Sequence, residues 1–279
     1  MPELPEVQAH AERLTAELAG ARLKAFTPIT FTALKTAVPS PSDALGLALE
    51  CVGRRGKMLL LQFGSFTFVV HLMQGGRLKP DAKQSAKPRG GIARWTFADG
   101  RALLLTEAGT ERKAGVWCSP TSDALTRPPL DRLGPEALEL TAAQLDERFR
   151  DRNMRLHGFL RDQHALAGLG RLLANEVCHR AKLSPFASTG KLGLVGAQAV
   201  VDAIAACVAD ALAHERTRPD MSSSADRPAN VHKRTGQPCA VCGDTIREVE
   251  YSSYTVNYCP ACQTDGKILA DNTTSRFLK

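Results

Sequence analysis

Apolar residues near the start of the chain recur at helical spacing: Val7, Ala11, Leu14 and Leu18 share a face, and Gly20 supplies a stop. This predicts a helix over 3–19, with Glu3, Glu6 and Glu12 toward its positive end. From 22 to 118 the pattern shortens to strand-length apolar runs at 58–63, 66–72, 93–97 and 102–105. Gly64-Ser65 and Asp99-Gly100 separate consecutive runs as hairpin turns would. Helical spacing returns at 142–150, 153–162, 172–181 and 196–214, beyond the linker-like Arg127-Pro128-Pro129-Leu130. The polar stretch 216–228 reads as a mobile loop. The pattern therefore predicts an α+β chain: an N-terminal β-sandwich with an opening helix over 1–127, and a helical domain over 130–228. A small cysteine-bearing module over 233–263 and a basic tail over 264–279 follow.

That module changes the picture most. Cys239-Ala-Val-Cys242 and Cys259-Pro-Ala-Cys262 are separated by sixteen residues, the spacing of a four-Cys zinc ribbon. Between them, 245–258 is rich in β-formers and reads as a hairpin. Four thiolates close a tetrahedral site, so one structural Zn2+ is expected; two redox dithiols are the alternative. Cys51, Cys118, Cys178 and Cys207 are scattered in apolar surroundings and read as buried packing residues.

Charge adds a question. Lys and Arg number 36 against 29 Asp and Glu, a net +7, which suits either a solvated surface or a polyanion binder. No apolar run spans a membrane, since 192–213 is interrupted by Gln198, Asp202 and Asp210. The acidic, proline-containing start does not resemble a secretory signal, and a cytoplasmic location is expected.

Two local features carry candidate chemistry. Gly168-Leu169-Gly170, before Arg171, permits either backbone N–H groups close to a phosphate or a tight helix–helix turn. At the other end, loss of Met1, which a small second residue permits, would expose the secondary amine of Pro2. Such an amine attacks aldehydes and acetals to give an iminium, with Glu3 beside it as acid or base. The plain alternative is a proline that starts the first helix.

Taken together, several segments carry a resemblance: Met1-Pro-Glu-Leu-Pro-Glu-Val7, Arg54-Arg-Gly-Lys-Met-Leu-Leu-Leu61, Leu160-Arg-Asp-Gln163 running into Ala167-Gly-Leu-Gly170, and Tyr258-Cys-Pro-Ala-Cys-Gln263. In this order they resemble the formamidopyrimidine-DNA glycosylase/endonuclease VIII family of base-excision repair enzymes, over about residues 1–263. The resemblance implies a helix-two-turn-helix in the helical domain and a zinc-ribbon hairpin on the minor-groove side. Its partner is double-stranded DNA with damaged bases or abasic sites, bound by a monomer, with the damaged nucleotide flipped out. It implies Pro2 as nucleophile at C1′, Glu3 as the acid at the sugar oxygen, and Lys57 as a strand lysine contacting phosphate. An exposed strand lysine is the alternative for Lys57. His71, Met73 and Gln74 match the region that fills the vacated space, although Met73 also suits core packing. Arg112, Lys113, Gly170, Arg171, Lys233, Arg234 and Tyr254 complete the implied DNA-facing set.

The chain departs from the family pattern at informative places. Arg171 stands where an Asn binds phosphate, Tyr254 where the hairpin offers an Arg, and His157 where a Lys is usual. Residues 106–117 keep only the positive charge of Arg112 and Lys113. These departures leave lesion preference and turnover open, and a damage-binding homologue with little glycosylase activity is the second functional reading.

Overall fold

The computed structural model describes residues 1–109, 112–221, 227–251 and 254–269. It divides the chain into two compact units, Met1–Leu133 with Leu212–Ala225, and Gly134–Ala211 with Asp226–Lys279.

In the first unit, α1 (Leu4–Leu18) precedes β1 (Leu23–Pro28), β2 (Leu49–Arg55), β3 (Met58–Phe63), β4 (Phe66–His71), β5 (Gly76–Pro80), β6 (Gly91–Phe97), β7 (Ala102–Glu107) and β8 (Gly115–Pro120). The strands form two antiparallel four-stranded sheets, ordered β1-β6-β7-β5 and β2-β3-β4-β8. Their inward residues, among them Leu59, Leu61, Phe63, Phe68, Trp95, Phe97 and Leu105, make one core with Val7, Leu14 and Leu18 of α1. Phe26, Phe63, Phe68 and Trp95 meet mostly edge to face within it. The β-sandwich expected from the short apolar runs is therefore present. Outside it, Leu130 and Leu133 of the proline-rich stretch cover Met58, Val69 and Trp117, so that stretch packs on a sheet.

The second unit contains α2 (Ala142–Asp151), α3 (Leu156–Arg161), α4 (Arg171–Arg180), α5 (Gly193–Arg216) up to Ala211, the hairpin β9 (Arg247–Tyr251) and β10 (Tyr254–Tyr258), and α6 (Pro260–Gln263). Helix α5 is long and apolar enough to cross a membrane by length and composition alone. Its Ala197, Val200, Ala203, Ile204, Cys207, Val208 and Ala211 are buried at helical spacing, the signature of a core helix.

The segment after α5 departs from the expected loop. Its described start groups with the sandwich unit, because Arg216 grips the Glu12 carboxylate with two N–H groups at 2.8 Å each. Arg13 donates to the carbonyls of Glu215 and Arg218 at 3.0 and 3.3 Å, and Met221 enters the sandwich core. Residues 222–226 of that loop, and 270–279 of the basic tail, lie outside the described residues.

Candidate active site and nucleic-acid interface

The chain start is built into the first unit. Glu3 is the N-cap of α1, and the Glu6 carboxylate folds back to accept the Glu3 N–H at 3.0 Å. Pro5 occupies the first turn of that helix, where a missing N–H costs nothing. The helix-starting role thus falls to Pro5, and Pro2 lies before the helix, buried like Glu3. The α-amino group of Met1 is held below its ordinary 8.0, chiefly by burial; Arg77 and Lys57 push it further down, against Glu3 and Glu6. The lowered value leaves more of the amine neutral at pH 7, the form that has a lone pair.

Lys57 corrects one expectation: it lies in the two-residue turn between β2 and β3, closed by the Arg55–Met58 pair. Gly56 at φ 57° makes that turn possible. Arg54 braces it, donating to the Gly56 carbonyl at 2.9 Å and to Gln8 at 3.2 Å. At only 9% exposed, Lys57 is a buried lysine and not a solvated one. His71, ending β4 opposite Met58, is pushed down to about 4 by burial and then by Lys57, so its imidazole is neutral at pH 7.

Beyond His71 the chain turns tightly. A Cβ on Gly76 would lie 2.0 Å from the Leu72 carbonyl oxygen, and one on Gly75 2.9 Å from that of Ala108. These glycines bring 72–76 against the start of the loop carrying Arg112 and Lys113, both exposed. The Glu107 carboxylate closes that loop by accepting the Ala114 N–H at 2.7 Å. Met73 adopts φ 52° and leans on the sandwich core, while Gln74 is exposed.

In the second unit, Gly170 is the N-cap of α4 and Arg171 its exposed first residue. Gln163 staples the preceding turn: its Nε2 donates to the carbonyls of Arg161 and Leu169 at 2.9 and 2.8 Å, and its Oε1 accepts the Gly168 N–H at 3.1 Å. His157 is buried on α3, its ring parallel to that of Tyr254 at 6.1 Å. Burial, with Arg161, His232 and Arg171 nearby, holds it down to about 3. Lys233 is exposed at φ 59°, in a turn pinned by its N–H to Asn257 Oδ1 at 3.0 Å. Arg234 spends its donors internally, on Gln237 at 2.9 Å and the Ala229 carbonyl at 3.1 Å.

Sequence reasoning passed over Arg77, Arg161 and Glu176. Glu176 had a visible signal: a carboxylate on the stripe of Leu172, Leu173 and Val177 needs buried partners. It accepts the backbone N–H groups of Asn230, Val231 and His232 at 2.8, 3.0 and 2.9 Å, docking the entry to the ribbon on α4. Arg77 and Arg161 had no such signal, because only the tertiary fold gives them their neighbours.

The four ribbon thiols converge, every Sγ within 4.8 Å of the others. Cys239–Cys262 and Cys242–Cys259 are 3.9 and 3.4 Å apart, against about 3.8 Å for a tetrahedron of Zn–S bonds of about 2.3 Å. Gly243 at φ 79° turns the first knuckle. The Asp244 backbone N–H draws the Cys242 thiol below its ordinary value, whereas burial pushes Cys259 up to about 11. Such crowded sulfurs ionise together only around a cation, so the donor set fits one structural zinc. His179 of α4 places Nε2 3.3 Å from Cys239 Sγ, an outer contact of the kind that orients a ligand.

Residues 1–116 match the formamidopyrimidine-DNA glycosylase N-terminal domain, and 236–264 match the zinc finger found in FPG and IleRS. The chain is 31% identical to the formamidopyrimidine-DNA glycosylase of Geobacter sulfurreducens over 277 residues, covering 94% of this chain and all of that one. The chain belongs to the formamidopyrimidine-DNA glycosylase family. A formamidopyrimidine-DNA glycosylase-like protein of Mycobacterium tuberculosis is 38% identical over 149 residues, 53% of this chain and 94% of its own. Among solved structures, a Lactococcus lactis FPG mutant in complex with a Fapy-dG containing DNA shares the fold at TM-score 0.83 and 22% identity, over 94% of this chain and 100% of that one. MutM in complex with carbocyclic 8-oxo-G containing DNA does so at 0.81 and 21%, with the same coverage. The zinc site, sandwich and helical unit are those of the formamidopyrimidine-DNA glycosylase fold.

Proposed function

We propose that the chain is a DNA glycosylase with AP lyase activity that uses Pro2 as its nucleophile. The observation that carries this reading is the buried Pro2-Glu3 start, set where burial, with Arg77 and Lys57, already lowers the amine of the preceding Met1. With Met1 removed, the neutral Pro2 nitrogen attacks C1′ of a flipped, damaged nucleotide. The C1′–N bond breaks, and its electron pair leaves with the base, which takes up a proton. Glu3 protonates the ring oxygen as the sugar opens, and the nitrogen loses its proton to give an iminium. Loss of a proton from C2′ then expels the 3′ phosphate, and a second elimination expels the 5′ phosphate. Lys57, buried beside this start, would hold a phosphate next to the lesion.

Borohydride trapping with abasic-site DNA tests the reading. A covalent adduct is expected from protein verified to begin at Pro2, and none from protein with a residual N-terminal tag, which acylates the amine. Absence of the first adduct sinks the proposal.

A second reading, a damage-binding homologue with little glycosylase activity, has its own support. Tyr254 is stacked against other rings and offers one hydroxyl where a bidentate arginine is expected. Salt-sensitive binding to abasic-site duplex without strand cleavage would favour it.

A further inference from the structure

The ring of Tyr254 is one rung of a ladder. It lies parallel to Tyr251, with centroids 4.7 Å apart and 12° between planes. The guanidinium carbon of Arg161 sits 3.9 Å over the Tyr254 ring. At the other end Phe186 meets Tyr251 edge-on at 6.4 Å, and Arg155 lies 4.4 Å over Phe186. Arg155 also donates to the Tyr251 hydroxyl at 2.9 Å, which anchors that end.

The two arginines differ in what their donors do. Arg155 is used within the ladder. The Arg161 guanidinium is half-buried and makes no side-chain hydrogen bond or ion pair among the described residues. Its nearest acidic neighbour in sequence, Asp162, is paired with Arg152 and accepts the His164 N–H at 2.9 Å. A guanidinium seated over a ring, and not spent on a carboxylate, retains the N–H donors that can take two oxygens of one phosphate. The ring mount also limits the side-chain freedom that binding would otherwise remove.

We propose that Arg161, mounted on Tyr254, is the group with which this chain grips a backbone phosphate of duplex DNA, replacing the hairpin arginine expected at position 254. The proposal rests on the DNA-processing reading above. It also accounts for a ring, and not a guanidinium, at position 254 beneath Arg161. An arginine at 254 would put a second guanidinium about where the ring now supports the first, and like charges at that distance repel.

The test is binding of a duplex with one tetrahydrofuran abasic analogue, by fluorescence anisotropy across a salt series, with zinc content and melting temperature as fold controls. In Arg161→Gln, Kd should rise about tenfold at physiological salt and the slope of log K against log salt should fall by about one. Tyr254→Ala should weaken binding with every charge retained, and Tyr254→Phe should match wild type. Tyr254→Arg alone should bind worse than Tyr254→Arg combined with Arg161→Leu. If Arg161→Gln lowers the melting temperature, Arg161→Lys replaces it, and the slope should then be retained. An unchanged slope in Arg161→Gln, or a slope lost equally in Arg161→Lys, overturns the proposal alone. Failure of wild type to bind any duplex overturns the DNA-processing reading and this proposal with it.

Discussion

Replacing Glu176 by Gln should detach the ribbon entry from α4. The carboxylate is 6% exposed and accepts three consecutive backbone N–H groups within 3.0 Å, and also the Asn230 side chain at 3.1 Å. Gln keeps one acceptor oxygen and turns an NH2 toward donors that need acceptors. At least one buried N–H is then orphaned; Val231, fully buried, offers the donor least able to reach water. An orphaned buried donor costs about 1–3 kcal/mol, and charge-assisted bonds are worth about 1.5–3 kcal/mol each. The expected loss is therefore about 3 kcal/mol, confined to the unit that holds α4 and the ribbon. Urea unfolding should be followed by zinc release together with far-UV ellipticity, because two units need not unfold in one step. Glu139→Gln, at an exposed carboxylate, is the control and should stay within about 0.5 kcal/mol of wild type. A Glu176→Gln protein releasing zinc at the wild-type urea concentration would refute the reasoning.

Other expectations follow from the same geometry. The rate of borohydride trapping should rise with pH as the Pro2 amine loses its proton, and level off at lower pH than for an exposed amine, because Pro2 is buried where burial already lowers the amine of Met1. Arg77→Leu removes a cation that also lowers it, so the rising limb should move to higher pH; a limb that stays put or moves down would contradict this. Gly76→Ala forces a Cβ onto the Leu72 carbonyl at 2.0 Å and should cost about 3 kcal/mol or more in thermal unfolding of the sandwich unit. Cys259→Ser should abolish stoichiometric zinc by elemental analysis and the ordered near-UV signal of Tyr251, Tyr254 and Tyr258.

How much was legible in the sequence depended on the range of the interactions involved. Periodicity placed α1 and the strands 58–63 and 102–105 because their apolar faces answer to a local rule, the pitch of a helix or the alternation of a strand. The zinc ligands were legible because chelation fixes the spacing of each pair. A strand position for Lys57 is what the resemblance implies, whereas the apolar run begins only after it and the turn is decided by Gly56 at positive φ. The segment after α5 read as a free loop because its composition is polar. Its pairing with Glu12 and Arg13 joins residues about two hundred positions apart, and no local pattern encodes that. Arg161 was hidden for the same reason: its meaning lies in a ring from a hairpin far along the chain.

The candidate cations in both units share one electrostatic arrangement. His71 lies beside Lys57, and His157 beside Arg161 and Arg171; burial first, and then those cations, hold the imidazoles to about 4 and about 3. A carboxylate in either place would neutralise the cation and compete with a phosphate for it. A protonated imidazole would add another repelling charge and a further desolvation cost. A neutral, buried imidazole does neither, yet it is rigid and fills the volume. The imidazoles therefore add no charge of either sign beside these cations. This also explains how a net charge of only +7 suffices for a polyanion. What matters for binding is the local field where cations gather, and the ion pairs elsewhere, such as Arg94 with Asp81 and Arg180 with Asp210, do not oppose it.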